Sequence, residues 1–166
     1  MLDVKPPETT IQLMPTIVED ITTSSEWVAS ALSESGYVAD FSPSSLWHVE
    51  FFFDDHCRGG TATPSGLLSE DLGSRLFALG AYVGEVVRRT RGGEWKGDDA
   101  DPEVELKVEL HLEDGTVCWP VQRVMKRFKN GTEDSIFAYG LSLGLDVGPR
   151  PTRDAAKPKR PWWKFW

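Results

Sequence analysis

Residues 69–91 limit the architectures open to this chain more than any other stretch. Leu72, Leu76, Leu79, Gly80, Val83 and Val87 recur at three- and four-residue steps, the spacing of a helix that buries one stripe, while Glu70, Asp71 and Arg75 fall on other faces. Ser69 offers a start. Acids at the beginning and Arg88, Arg89 and Arg91 at the end complement the helix dipole, and Gly92-Gly93 stops the run. Gly80 and Gly84 sit one turn apart in the middle, where each costs roughly 1 kcal/mol relative to alanine. Close approach of a neighbouring helix or strand is the packing reason for accepting that cost.

The following stretch changes period. Val104, Leu106, Val108, Leu110 and Leu112 alternate with Glu103, Glu105, Lys107, Glu109 and His111, which predicts an antiparallel strand with one buried and one wet face. Glu113-Asp114-Gly115 reads as a hairpin turn, Thr116–Trp119 as the returning strand ended by Pro120, and Glu94-Trp95-Lys96 as a short third strand.

Helices are expected on either side. Ser24-Ser25-Glu26 offers a cap for a helix to Ser35, with Trp27, Val28, Ala31 and Leu32 on one face. Ser42 before Pro43 starts another that carries Leu46, Val49, Phe52 and Phe53 and ends near Cys57, and residues 58–68 read as a loop. Val121, Val124, Met125 and Phe128 predict a short helix closed by Asn130-Gly131. Thr132 or Asp134 offers a cap for a last one with Ile136, Phe137 and Leu141. The order predicts an α+β fold, with helices packed on one face of a small antiparallel meander. The expected organisation is an N-terminal arm over 1–21, a single α+β domain over 22–143, and a disordered basic, Trp-rich tail over 144–166.

Composition narrows the function classes. Two cysteines in 166 residues exclude a disulfide-dense scaffold and an all-cysteine zinc site. No run approaches the ~18 apolar residues of a membrane span. The opening MLDVKPPETT has neither the basic nor the apolar region of a signal peptide, so a cytoplasmic location is the expectation. Residues 151–166 carry five Lys/Arg against Asp154, a balance of +4, so the other 150 must hold −12 for the chain to total −8. An acidic body repels phosphate backbones, which argues against nucleic-acid binding by the body and for a basic protein partner.

Between residues 42 and 137 the chain resembles a class of small, uncharacterised bacterial cytosolic domains. The landmarks are Ser42-Pro43-Ser44-Ser45-Leu46, Leu79-Gly80-Ala81-Tyr82-Val83-Gly84-Glu85-Val86, Gly93-Glu94-Trp95, Asp114-Gly115, Pro120 and Lys126-Arg127-Phe128-Lys129-Asn130-Gly131. Those domains are similar in layout to bacterial toxin-immunity proteins. The resemblance implies a compact α+β fold and brings no catalytic residue set with it.

Chemistry-bearing residues are few. Asp54-Asp55-His56-Cys57 is the densest cluster, but four consecutive residues diverge around a helix, and only Asp54 and Cys57 share a face. His48 and His111 have no ligand at a helpful spacing. Cys118, between Val117 and Trp119, reads as an inert small hydrophobe. No metal site, cofactor site or catalytic set is therefore expected. Glu85, in an otherwise apolar helix, calls for a cation, and Arg88 or Arg127 can supply it, as a structural ion pair or as the polar floor of a cleft. Glu103, Glu105, Glu109 and Glu113 form the acidic face offered to a basic partner. Lys159, Arg160, Trp162, Trp163, Lys164, Phe165 and Trp166 alternate cations with aromatics, as tryptophan-rich membrane-active segments do, and would dock at an anionic leaflet. A protein groove, single-stranded nucleic acid or folding back onto the body are the other fates of such a tail. The function expected is a non-enzymatic bacterial binding or regulatory domain, in its most concrete form an immunity-like inhibitor peripheral to the inner membrane face. The rival is a small enzyme with a site around Glu85, Asp54 and His56.

Overall fold

A computed structural model describes residues 13–153. In chain order these form α1 (Ile17–Glu34), a 3-10 turn (Pro43–Ser45), α2 (Leu46–His56), β1 (Cys57–Arg58), β2 (Thr61–Ala62), α3 (Leu72–Arg91), β3 (Gly93–Lys96), α4 (Val104–Lys107), β4 (Glu109–Leu112), β5 (Val117–Cys118), α5 (Pro120–Asn130), a 3-10 turn (Gly131–Asp134) and α6 (Ile136–Ser142). The fold is α+β. β1 and β2 make a small hairpin about Gly59-Gly60, and β3, β4 and β5 make an antiparallel sheet with β4 in the centre.

α3 is the axis. It packs most extensively against α1 and α5, and every residue from Arg75 to Val87 is buried. Arg75, expected on a wet face, is buried with its guanidinium donating to the Leu67 carbonyl. The helix opens at Leu72 rather than Ser69, because Asp71 turns the backbone into the left-handed region at φ 49°. The two helix glycines are close-approach points. A methyl on Gly80 would lie 2.5 Å from the Val121 Cα of α5, and one on Gly84 would meet the Trp95 indole of β3.

The sheet's inner face consists of Trp95, Leu110, Leu112 and Cys118, all buried against the α3 side. Its outer face sets Glu94 opposite His111 and Lys96 opposite Glu109. The strand expected over 103–112 begins only at Glu109. Residues 104–107 form a turn of helix, with Asp101 accepting from the Glu103 N–H (2.9 Å) and from Lys107 Nζ (2.9 Å). β3 ends opposite Glu109, so earlier residues have no strand to pair with. Leu106, expected inside, is 42% exposed.

Two further boundaries differ from expectation. α1 starts at Ile17, within the expected arm, because Thr16 and Glu19 form a reciprocal capping box and Ile17 and Ile21 are buried. Ser25 lies inside that helix, its hydroxyl donating to Thr22 O (2.9 Å). After α6, Leu145 and Val147 are buried, and Trp47 Nε1 donates to Gly148 O (3.1 Å), so residues 145–153 form a strap against α2. The first part of the expected tail thus belongs to the packed body. Among the described residues no helix is long and apolar enough to cross a membrane.

Candidate functional site

Three polar assemblies sit around this core. The first is buried between α2, α5 and α6. Glu50 and Arg127 occupy positions on the apolar stripes of their helices, and packing brings them together at 2.8 Å with side chains 6% and 4% exposed. Arg127 also donates to Asp54 (3.0 Å), and its guanidinium lies 5.2 Å from the Phe53 ring centre. The second Glu50 oxygen accepts the Ile136 N–H, one of the open amides at the start of α6. This assembly is a clasp joining three helices.

The second assembly is at the C-terminal end of α2. The four consecutive residues found in sequence diverge as helix geometry requires. Asp54 turns to Arg127, and Asp55 accepts from the Tyr37 hydroxyl (2.7 Å) and from Arg153 (2.5 Å). His56 Nδ1 accepts the Leu67 N–H (3.2 Å), which leaves Nε2 to carry the proton of the neutral ring and donate to the Tyr37 oxygen (3.2 Å). Cys57 donates its thiol to the Phe128 carbonyl (3.3 Å). Burial lowers the His56 pKa, with Asp55 partly opposing it, and burial followed by the Asp55 hydrogen bond raises that of Tyr37. Burial likewise pushes both cysteine thiols up, which makes them poor nucleophiles at neutral pH. Arg150 and Arg153 cover this end of α2, with Arg153 4.7 Å from the Phe51 ring centre.

The His56 geometry has a pH consequence. Its folded-state pKa lies below the ordinary histidine value near 6.5, so the unfolded chain takes up a proton first as pH falls. Stability is therefore full above about pH 6.5 and declines below it. His48 is lowered in the same direction by burial. In urea melts between neutral pH and pH ~5, a His56→Gln variant is expected to lose less stability than the parent chain. An undiminished loss would place the titration elsewhere.

The third assembly centres on Glu85. Its carboxylate takes Arg88 Nε (2.7 Å), Trp95 Nε1 (2.8 Å) and Arg89 Nε (3.4 Å). Of the two cations proposed from sequence, Arg88 is the partner, and Arg127 is committed to Glu50 and Asp54. Burial alone would raise the Glu85 pKa, but the hydrogen bonds from Arg88 and Trp95 outweigh it and hold the carboxyl below its usual range. Glu85, Asp54 and His56 share no hydrogen-bond partner, so the structure does not draw the three into one site.

The four acids expected on one strand face are spread more widely. Glu103 precedes α4 and pairs with Lys107 (3.2 Å), and Glu105 is exposed on α4. Glu109 faces His111 on the outer face of the sheet (2.7 Å), while Glu113 follows β4 and lies over Gly92. They belong to a larger acidic region, since residues 94–114 hold nine Asp/Glu against two Lys. Asp99 accepts the Ile17 N–H (2.7 Å), which brings Glu19 and Asp20 of the first turn of α1 to the same end of the molecule. The regular alternation of residues 103–112 predicts the acids on one strand face, whereas the structure divides them between α4, β4 and the turns beside them.

Among the described residues no group of three or more His, Cys, Asp or Glu is placed to hold a metal ion. The tail residues Lys159, Arg160, Trp162, Trp163, Lys164, Phe165 and Trp166 lie outside the described part of the chain. No family model matches this chain, and neither does any curated protein or solved structure with which it was compared.

Proposed function

We propose that the chain is a non-enzymatic bacterial binding domain of the cytoplasm whose acidic lobe engages a basic protein, in the manner of an immunity-like inhibitor covering a cationic toxin site. The observation that carries this reading is the acid concentration over residues 94–114, joined through Asp99 to the acidic first turn of α1. Such a field steers a cationic partner and raises its association rate. The saturated contacts of Glu85 and of Glu50–Arg127 support the same reading, because groups already committed to hydrogen bonds serve architecture.

The test is to purify the complex from the native host and measure association of its single basic component with the full chain. The on-rate is expected to fall several-fold from low to physiological salt. Glu94→Lys, Glu103→Lys and Glu105→Lys together should lower it further without changing the melting temperature by more than a few degrees, since all three side chains are exposed. An on-rate indifferent to salt and to the reversals overturns the reading.

The cationic aromatic tail adds a peripheral membrane contact to this proposal. Four cations at residues 157–164 supply about 4 kcal/mol near an anionic leaflet, at roughly 1 kcal/mol each. Full-length protein is expected to float with anionic vesicles and more weakly with neutral ones, and loss of residues 157–166 should abolish flotation. Flotation unchanged by that truncation removes the tail from the proposal.

A further inference from the structure

Where β5 runs into α5, the chain makes a feature of opposite sign to the acidic lobe. A cavity of about 250 Å³ opens between β5, α5 and α6, with Cys118, Trp119, Gln122, Arg123, Lys126 and Tyr139 in its lining. At about 30 Å³ per water molecule it holds roughly eight waters, and it falls just below the ~300 Å³ at which sites for larger ligands begin. It suits one ring with one charged group.

The lining is specific in two respects. No carboxylate contributes to it, although the chain as a whole carries −8. α5 contains Arg123, Lys126, Arg127 and Lys129 and no acid, and of these Arg123 and Lys126 reach the cavity. Lys126 is exposed and makes no ion pair among the described residues. Arg123 gives one nitrogen to Asp134 (2.7 Å) and lies 4.9 Å from the Tyr139 ring centre, and its other guanidinium nitrogens make no hydrogen bond among the described residues.

Trp119 is 41% exposed, as Trp27 on α1 is at 45%, whereas Trp47 and Trp95 are each 8% exposed and give their indole N–H to Gly148 and Glu85. Burial of Trp119 is not needed by the core, and an indole face at the rim of a cationic cavity is a stacking platform for a planar ring. Tyr139 forms the inner wall, its ring under the Arg123 guanidinium and its hydroxyl buried beside the Cys118 thiol, which is turned to the Leu110 carbonyl (3.6 Å).

We propose that this cavity binds a small aromatic anion, a planar ring bearing a carboxylate or phosphate group. The ring stacks on Trp119, and the anionic oxygens meet Lys126 and the donors of Arg123 that Asp134 does not take. The cationic and stacking groups of the site lie outside the acidic lobe, to which its lining is tied by the hydrogen bond from Gln122 to the Leu106 carbonyl (2.9 Å). A ligand here and a basic partner there are separate events, and each can fail without the other.

The experiment titrates full-length protein, labelled at its tryptophan indole nitrogens, with indole-3-acetate and with phenyl phosphate, using the neutral tryptophol as control. The Trp119 resonance, assigned by Trp119→Phe, is expected to shift saturably with both anions and much less with tryptophol. The two anions distinguish a carboxylate from a phosphate preference. Lys126→Met should weaken binding about tenfold, the equivalent of one lost charge-assisted contact, and raised salt should act in the same direction. Trp119→Ala, followed by calorimetry, should abolish saturable binding. Both substituted side chains are exposed, so the melting temperature should stay within a few degrees of the parent. The proposal is overturned if the anions shift Trp119 no more than tryptophol does, or if Lys126→Met and Trp119→Ala bind as the parent does.

Discussion

Replacing Arg127 by methionine is expected to destabilise the domain by about 3–5 kcal/mol, read as a lower urea midpoint at unchanged slope. The size follows from what is left behind. Glu50 keeps the Ile136 N–H but loses its cation in a site where its side chain is 6% exposed, and a buried charge without its partner is far costlier than a missing surface contact. Three elements loosen together, because the pair ties α2 to α5 while the same carboxylate holds the start of α6. The double variant Glu50→Gln with Arg127→Met separates charge from shape. A glutamine oxygen can still accept the Ile136 N–H, and no uncompensated charge remains, so the double change should cost less than Arg127→Met alone. Arg88→Met provides the contrast. Its side chain is 37% exposed, and Glu85 retains Trp95 and Arg89, so a loss near 1 kcal/mol or less is expected. Equal losses for Arg88→Met and Arg127→Met would deny the clasp its role.

Glu50 and Arg127 also show where sequence reading stops. Each sits at a stripe position, Glu50 four residues after Leu46 and Arg127 three after Val124, so a polar residue destined for the interior was legible in principle. That the two meet across 77 residues depends on tertiary packing and has no local signature. Local signals served best where one interaction dominates. The α3 stripe dictated a buried helix, and Gly80 and Gly84 dictated close neighbours, which turn out to be Val121 and Trp95. The Asp-Gly turn dictated β4 and β5. The start of α1 was legible too, in Thr16-x-x-Glu19, but the nearby prolines and the poor periodicity of residues 1–16 masked it. The strap after Gly144 was not legible. Its buried residues, Leu145 and Val147, are only two, and proline and glycine surround them.

Leu110→Ala is expected to cost about 2–5 kcal/mol, whereas Leu106→Ala should stay within about 0.5. In sequence the two leucines are indistinguishable members of one alternating run. The structure separates them by pairing. Leu110 is fully buried in the central strand, between Trp95 on β3 and Cys118 on β5, so truncation opens a cavity that neither neighbour can fill without leaving its own register. Leu106 stands on the four-residue turn set by Asp101, on the chain before any partner strand begins, with its backbone carbonyl taken by Gln122 Nε2 (2.9 Å). That hydrogen bond survives loss of the side chain. Glu109→Ala, on the outer face beside His111, should also remain within about 1 kcal/mol, the range of an exposed ion pair. Thermal melts of the three variants therefore read the register directly. A Leu106→Ala loss as large as that of Leu110→Ala would mean that the strand extends back to residue 104 and that the acidic residues beside it form a flat face after all, with Glu103 and Glu105 in line with Glu109.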